Sequence, residues 1–336
     1  MEMMLQKKNL PYMVIPLLIM LIPLFLKDAY FMQIFILFFM YVILATGWNI
    51  IGGFTGQVSF GHGVFFAIGA YSSAMLSLRF ELSPWIGMVV GMVISAFVAL
   101  AIGLPFFRLS GHYFAIATLA LAGIASALSL NWDFIGGSTG LYLPIKESGF
   151  WNLQFGADKI QYYYIVFFLA ILAVLFSLYL SRSRVGYYFR AIKENGEAAA
   201  SLGIDVLKYK LLAFVYSAVI VSIGGTFYSQ YYLYVNPEGV LNSDIGIQMV
   251  LMTVLGGVGT IIGPIIGAAF LVPLSELIRG YIGGTFTGVD QMIYAFIIIL
   301  VVTMQPTGII GFLKKKNRKP GYLNKKIPKT GGDLHD

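Results

Sequence analysis

Residues 52–70 read Gly52-Gly53-Phe54-Thr55-Gly56-Gln57-Val58-Ser59-Phe60-Gly61-His62-Gly63-Val64-Phe65-Phe66-Ala67-Ile68-Gly69-Ala70. The stretch holds six glycines, a glutamine, a histidine and two hydroxyls, between flanks that are almost wholly apolar. A glycine weakens a helix by about 1 kcal/mol relative to alanine. In hydrocarbon, irregular backbone and polar side chains persist only against protein or a water-filled cavity. The stretch is therefore expected to face the inside of a helix bundle, as a broken helix or a close-packed seam. Segments of this kind line the paths through membrane transporters.

The rest of the chain supports a bundle. Hydrophobic residues make up 58% of its 336 residues and charged residues 11%, against roughly 25% charged in soluble domains. With a mean hydropathy of +0.82 and repeated apolar runs of near-spanning length, the fold class is all-α, a polytopic transmembrane helical bundle. No segment outside the membrane is long enough to fold alone. The formal net charge of +7 clusters at a few junctions, as the positive-inside rule requires, so it points to a membrane and not to nucleic acid. The absence of cysteine excludes a disulfide framework, a thiolate metal site and a thiol nucleophile.

Apolar runs place membrane segments at about 11–26, 30–51, a glycine-rich one ending near 78, 85–107, 113–130, 161–180, 211–232, 245–258, 264–282 and 291–308. Lys7 and Lys8 precede the first; no small-x-small cleavage site follows it, so it reads as a retained span. Segment 131–159 carries Asp133, Glu147 and Asp158 with interfacial Trp132 and Trp151, which suits the outer side. Loop 182–210 carries Arg182, Arg184, Arg190, Lys193, Lys208 and Lys210 and belongs in the cytoplasm, as does the lysine-rich tail 314–336. The reading is about ten segments with both termini cytoplasmic: a permease-like domain over 1–313 with a cytoplasmic loop at 182–210, then a basic tail.

A second glycine run, Gly256-Gly257-Val258-Gly259 followed by Gly263-Pro264, falls in the other half of the chain. Paired interruptions in the two halves point to a transport site at a repeat interface. The candidate pathway residues are Gly53, Thr55, Gly56, Gln57, Ser59, Gly61, His62, Gly256, Gly257 and Gly259. His62 has two readings: a hydrogen-bonding group offered to a zwitterionic substrate, or a neutral histidine bonded to a neighbouring helix. The glycines too have a second reading, as small residues that let helices approach closely. Gly136 to Gly140 is either part of an outer mouth or a tight turn. Glu276 and Arg279, three apart, read as a local helix pair.

In the basic loop, residues 186–202 favour one helix, with Gly203 placed to cap it. Glu197-Ala198-Ala199, three residues, then Gly203 matches the short motif by which permeases of ATP-binding-cassette (ABC) importers dock their ATPases. The whole chain resembles the LivM-type permeases of branched-chain amino-acid ABC importers. The matching stretches are Gly47-Trp48-Asn49 with Gly53 to Gly63, Gly111 to Leu119, Gly136 to Leu141, Arg184-Val185-Gly186 through Arg190 to Ile192, and Ala199 through Ile204. Gly256 to Thr260 with Gly263-Pro264, and Gln305-Pro306-Thr307-Gly308, complete them, in family order over about 41–311. His112 departs from the acidic residue such permeases often carry there.

The resemblance implies a multi-pass inner (plasma) membrane subunit that conducts without hydrolysing ATP. The sequence agrees, because no Gly-x-x-x-x-Gly-Lys-Ser/Thr phosphate loop occurs in it. The implied partners are a second related permease, two cytoplasmic ATPases, an extracytoplasmic binding protein and the surrounding membrane lipid; no cofactor or metal is implied. The implied ATPase-coupling residues are Arg190, Glu197, Ala198, Ala199 and Gly203. Urea or short amides are the alternative cargo, since related permeases carry them. Two other classes fit less well. An ion-coupled secondary transporter needs intramembrane relay groups that are scarce here, and a membrane-embedded enzyme needs a cluster of His, Asp and Glu that the spacing does not provide.

Overall fold

Helix α1 (Ala29–Trp48) starts under Asp28, whose carboxylate accepts the Tyr30 and Phe31 amides, and is apolar and buried along most of its length. Seven further main elements follow: α2 (Gly63–Arg79), α3 (Pro84–Phe106), α4 (His112–Leu130), α5 (Lys159–Arg182), then the short pair α6 (Arg184–Glu194) and α7 (Gly196–Ser201), and α8 (Val206–Tyr232). A single turn, α9 (Pro237–Val240), leads to α10 (Ser243–Gly256) and α11 (Gly263–Ile282). This computed structural model describes residues 19–23, 28–109, 111–156, 158–282, 292, 295–296, 299 and 308–310. The expected first and last spans and the basic tail lie almost wholly outside the described residues.

Among the described residues, seven helices are long and apolar enough to cross a membrane. Helix α2, with 17 residues, is shorter and would cover about 25 Å at 1.5 Å per residue. The sequence reading placed the whole glycine-rich stretch in one span; the structure divides it. Residues Asn49–Phe54 continue α1 as a π-helical turn, residues 55–62 form an irregular loop, and α2 starts only at Gly63. The helix expected over 186–202 is likewise split into α6 and α7 at Asn195, whose side-chain oxygen accepts the Glu197 and Ala198 amides. Asparagine in extended backbone is a strong N-cap, and it restarts the helix instead of continuing it.

Helix α8 lies at the centre, packed against α1, α2 and α3. Its contact with α2 is reciprocal. A Cβ on Gly69 would strike the Ser222 carbonyl, and one on Gly225 would strike the Phe66 carbonyl. Thr226 donates to the Gly69 carbonyl at 3.1 Å and Gln230 to Ser73 at 3.0 Å. In lipid the apolar surface gains nothing from leaving water, so close van der Waals approach and such hydrogen bonds hold helices together. The outward faces of α3, α4 and α5 remain apolar and exposed, with Phe97 72%, Ile116 63% and Leu172 62% accessible, as lipid or another membrane subunit would require.

Segment 131–158 closes one end of the bundle. Its strand β1 (Leu141–Tyr142) pairs antiparallel with β2 (Tyr234–Val235) after α8, and Tyr142 stacks on Tyr234 at 4.4 Å. Arg79 donates to the Phe134 carbonyl at 2.7 Å and Lys146 to the Ser77 carbonyl at 3.2 Å. Lys159 reaches the Ala29 carbonyl at 3.1 Å. One end of the bundle therefore holds the start of α1 and α5 and the end of α2 and α8. Gly136 to Gly140 is a pair of short turns here, with Gly140 at φ +73° under the Val235 carbonyl.

Candidate functional site

The opposite end of α1 is where the glycines act. At Gly52 a Cβ would overlap the Trp48 ring, and at Gly53 it would overlap Asn49 Oδ1. These two glycines let the side chains of the preceding turn fold across the backbone. Trp48 Nε1 then donates to the Ser59 carbonyl at 2.6 Å, and Thr55 Oγ1 to the Ile51 carbonyl at 2.6 Å. Gly56, at φ +73°, turns the chain so that the Gln57 amide donates back to Ile51 at 3.1 Å. The loop's polar backbone is thus tied in part to the end of α1 and in part to α4, where Thr118 Oγ1 accepts the Phe60 amide at 3.1 Å.

His62 is fully buried at the head of α2. Its Nδ1 lies 2.8 Å from Ser59 Oγ and its Nε2 2.7 Å from Ser217 Oγ on α8. Ser217 donates its own proton to the Gly47 carbonyl at 2.7 Å. That hydroxyl must therefore accept from His62, which places a proton on Nε2; in the neutral imidazole Ser59 is then the donor to Nδ1. The network joins α1, the loop and α8. Ser217→Ala leaves the His62 N–H without its acceptor and removes one of two donors to the Gly47 carbonyl, which keeps the Asn49 amide, at a cost of about 1–3 kcal/mol. It is expected to lower the melting temperature of the detergent-solubilised protein. Ser177→Ala, whose hydroxyl has no hydrogen-bond partner among the described residues, should leave that temperature unchanged.

The second glycine run closes the hairpin between α10 and α11. A Cβ on Gly256 would strike the Gly263 carbonyl, and one on Gly267 the Met252 carbonyl. Gly257 and Gly259 have φ of +130° and +78°, a region that glycine enters without penalty. Thr260 Oγ1 donates to the Gly257 carbonyl at 2.8 Å and accepts the Gly263 amide at 3.0 Å.

The two interruptions meet. The Asn49 side chain behaves as a free peptide group, donating from Nδ2 to the Thr260 carbonyl at 2.9 Å and accepting the Gly259 amide on Oδ1 at 2.9 Å. From the loop side, Lys193 Nζ on α6 donates to the Gly53 carbonyl at 2.8 Å. One knot therefore joins the π-helical end of α1, the turn between α10 and α11, and the amphipathic helix of the basic loop. Of the candidate pathway residues, Gly53 and Gly259 belong to it directly. Thr55, Ser59, Gly61, His62, Gly256 and Gly257 are buried around it, and Gly56 and Gln57 reach the surface.

Sequence reasoning missed Asn49 and Lys193. Asn49 carried a usable signal, a polar side chain inside an apolar span. Lys193 had none, since it is one of several cations in a loop whose charge topology already explained.

In the loop itself, Glu197 and Ala198 are exposed on α7 while Ala199 is buried. Gly203, at φ +84° with open space around it, ends the helix, its amide donating to Ala200 at 2.9 Å. This is the expected glycine cap. Arg190 stays exposed and folds back along the surface: its guanidinium donates to the carbonyls of Ser181 and Gly186 and lies over the Tyr187 ring at 4.6 Å. It stitches α6 to the end of α5.

A multi-pass helical membrane protein whose interrupted helices are tied to an exposed loop is the architecture of a transport subunit. Residues 30–302 match the family of permease components of branched-chain amino acid transport systems, and the chain belongs to that family. It is 29% identical over 295 residues to the high-affinity branched-chain amino acid transport system permease protein LivM of Salmonella typhimurium, covering 80% of this chain and 67% of the relative. Against LivH of Escherichia coli, described in the same terms, it is 28% identical over 287 residues, covering 81% and 91%. BraD of Pseudomonas aeruginosa is similar at 28% over 288 residues, again covering 81% and 91%.

Proposed function

We propose that this chain is the membrane-spanning permease subunit of an ABC importer in the inner membrane, with both termini in the cytoplasm, passing branched-chain amino acids by alternating access. A second related permease completes the passage, two ATPases dock on loop 182–210, and a binding protein delivers cargo to the end capped by segment 131–158. The observation that carries the reading is the knot at Gly53. A loop exposed to a docking partner is bonded, through Lys193, to the backbone where two interrupted segments meet. Closure of the ATPases around Glu197, Ala198, Ala199 and Gly203 is then handed through α6 and Lys193 to α1 and the α10–α11 turn. Gly56 and Gln57, at the surface, line the passage shared with the second permease, while Arg190 keeps the loop rigid against α5.

The test is reconstitution. Vesicles holding this chain with its partner permease and ATPases, supplied with binding protein, are expected to accumulate leucine only when ATP is present. The pure chain under an ion gradient should accumulate none, and uptake by the pure chain overturns the reading. Within the assembly, Glu197→Trp and Gly203→Trp are each expected to abolish co-purification of the ATPases while the membrane part stays monodisperse. Full recovery of the ATPases would remove loop 182–210 from the docking role.

A further inference from the structure

A cavity of about 200 Å³ opens between α1, α8, α10 and α11 at the end of the bundle where α8 finishes. This is the end opposite the Gly53 knot. Its floor is apolar, formed by Met40, Met252 and Leu271. Its wall carries Glu276 and Arg279, a pair at 3.3 Å and, among the described residues, the one ion pair in the protein. The Glu276 side chain is 12% exposed and that of Arg279 65%, so the carboxylate lies low in the cavity and the guanidinium at its mouth. The side chains of Tyr228, Tyr232, Gln248 and Ser275 border the same space and form no hydrogen bond to another described residue; Tyr41, also in the lining, has a partner.

Ionisable side chains within a membrane bundle are costly, and they are retained where they meet a ligand or an aqueous path. Here a negative and a positive group stand side by side above an apolar floor, with hydroxyl and amide groups around them that bond to no other described side chain or carbonyl. A simple cation or anion would satisfy one charge and strip the other of its partner. A zwitterion satisfies both.

We propose that this cavity binds a zwitterion with an apolar tail, its ammonium on Glu276, its anionic group on Arg279 and its tail on the floor of Met40, Met252 and Leu271. The proposal deepens the permease reading and rests on it for the identity of the natural ligand. An α-amino acid with an apolar side chain has this chemistry, and so does a phosphatidylethanolamine lipid. On entry, the ligand exchanges partners with the Glu276–Arg279 pair, and each charge stays neutralised throughout.

The experiment uses the full-length chain in its complex, in nanodiscs of phosphatidylcholine, with leucine, leucinamide (no carboxylate) and N-acetyl-leucine (no ammonium) as probes. Glu276→Gln is expected to weaken leucine at least tenfold and to leave N-acetyl-leucine unchanged. Arg279→Gln should weaken leucine at least tenfold and leave leucinamide unchanged. This charge-matched pattern is one that a merely structural ion pair does not produce, so equal weakening of all three probes, or no weakening, overturns the proposal. If leucine does not bind while native mass spectrometry shows phosphatidylethanolamine retained by the wild type and released by both variants, the site stands with lipid as its ligand. Uptake in vesicles separates this proposal from the wider reading. Where leucine is the ligand, wild-type rate and KM in both variants refutes the site alone; site binding without any ATP-driven uptake refutes the importer alone.

Discussion

Lys193→Met is expected to cut ATP-driven uptake by about 10- to 150-fold while the ATPases still co-purify. The ammonium makes a charge-assisted hydrogen bond to the Gly53 carbonyl at 2.8 Å, an interaction worth about 1.5–3 kcal/mol. A coupling free energy of that size between two sites corresponds to the stated factor. Methionine keeps the length and apolar stem of the side chain and removes the donor. The proposed docking residues Glu197 and Ala198 lie on the neighbouring short helix, which keeps its own cap at Asn195, so assembly is expected to survive. Lys193→Arg, which retains a cation and donors, should recover most of the rate. Uptake by Lys193→Met at the wild-type rate would show that movement reaches the bundle by another route.

Gly225→Leu is expected to destabilise the bundle by on the order of 3 kcal/mol or more, at or beyond the upper end of the usual range for overpacking a core. A Cβ at this position meets the Phe66 carbonyl and the Ala70 amide of α2. Both are backbone atoms, so no rotamer change relieves the overlap, and the two helices must separate. Separation also stretches the Thr226 bond to Gly69 and the Gln230 bond to Ser73. The readout is size-exclusion monodispersity and melting temperature of the solubilised protein. Gly123→Leu on α4, where nothing lies within 4 Å of the added carbon, serves as the matched control and should behave as wild type. Equal behaviour of the two variants would contradict the close seam between α2 and α8.

The sequence made the bundle legible because lipid permits few alternatives: long apolar runs form helices, and glycines mark where backbones approach. The hairpin of α10 and α11 lies within two residues of where its glycines and proline place it. What stayed hidden was set by single hydrogen bonds. Asn195 divides one expected helix into two by accepting two amides, a choice that composition over 186–202 does not reveal. The glycine-rich stretch was recognisable as irregular, yet its division into π-turn, loop and helix depends on Trp48 and Asn49 folding over Gly52 and Gly53. The meeting of the two interruptions rests on one side-chain amide, 210 residues from its partner in the chain, and no local pattern encodes that pairing.

The clasp over the far end has a consequence for the medium it faces. Arg79, Lys146 and Lys159 each end on a main-chain carbonyl oxygen, which takes up no proton in the ordinary range. Acidification that discharges carboxylates leaves these three stitches untouched. These three links therefore hold segment 131–158 and the start of α5 to the bundle with the same partners in acid as at neutrality.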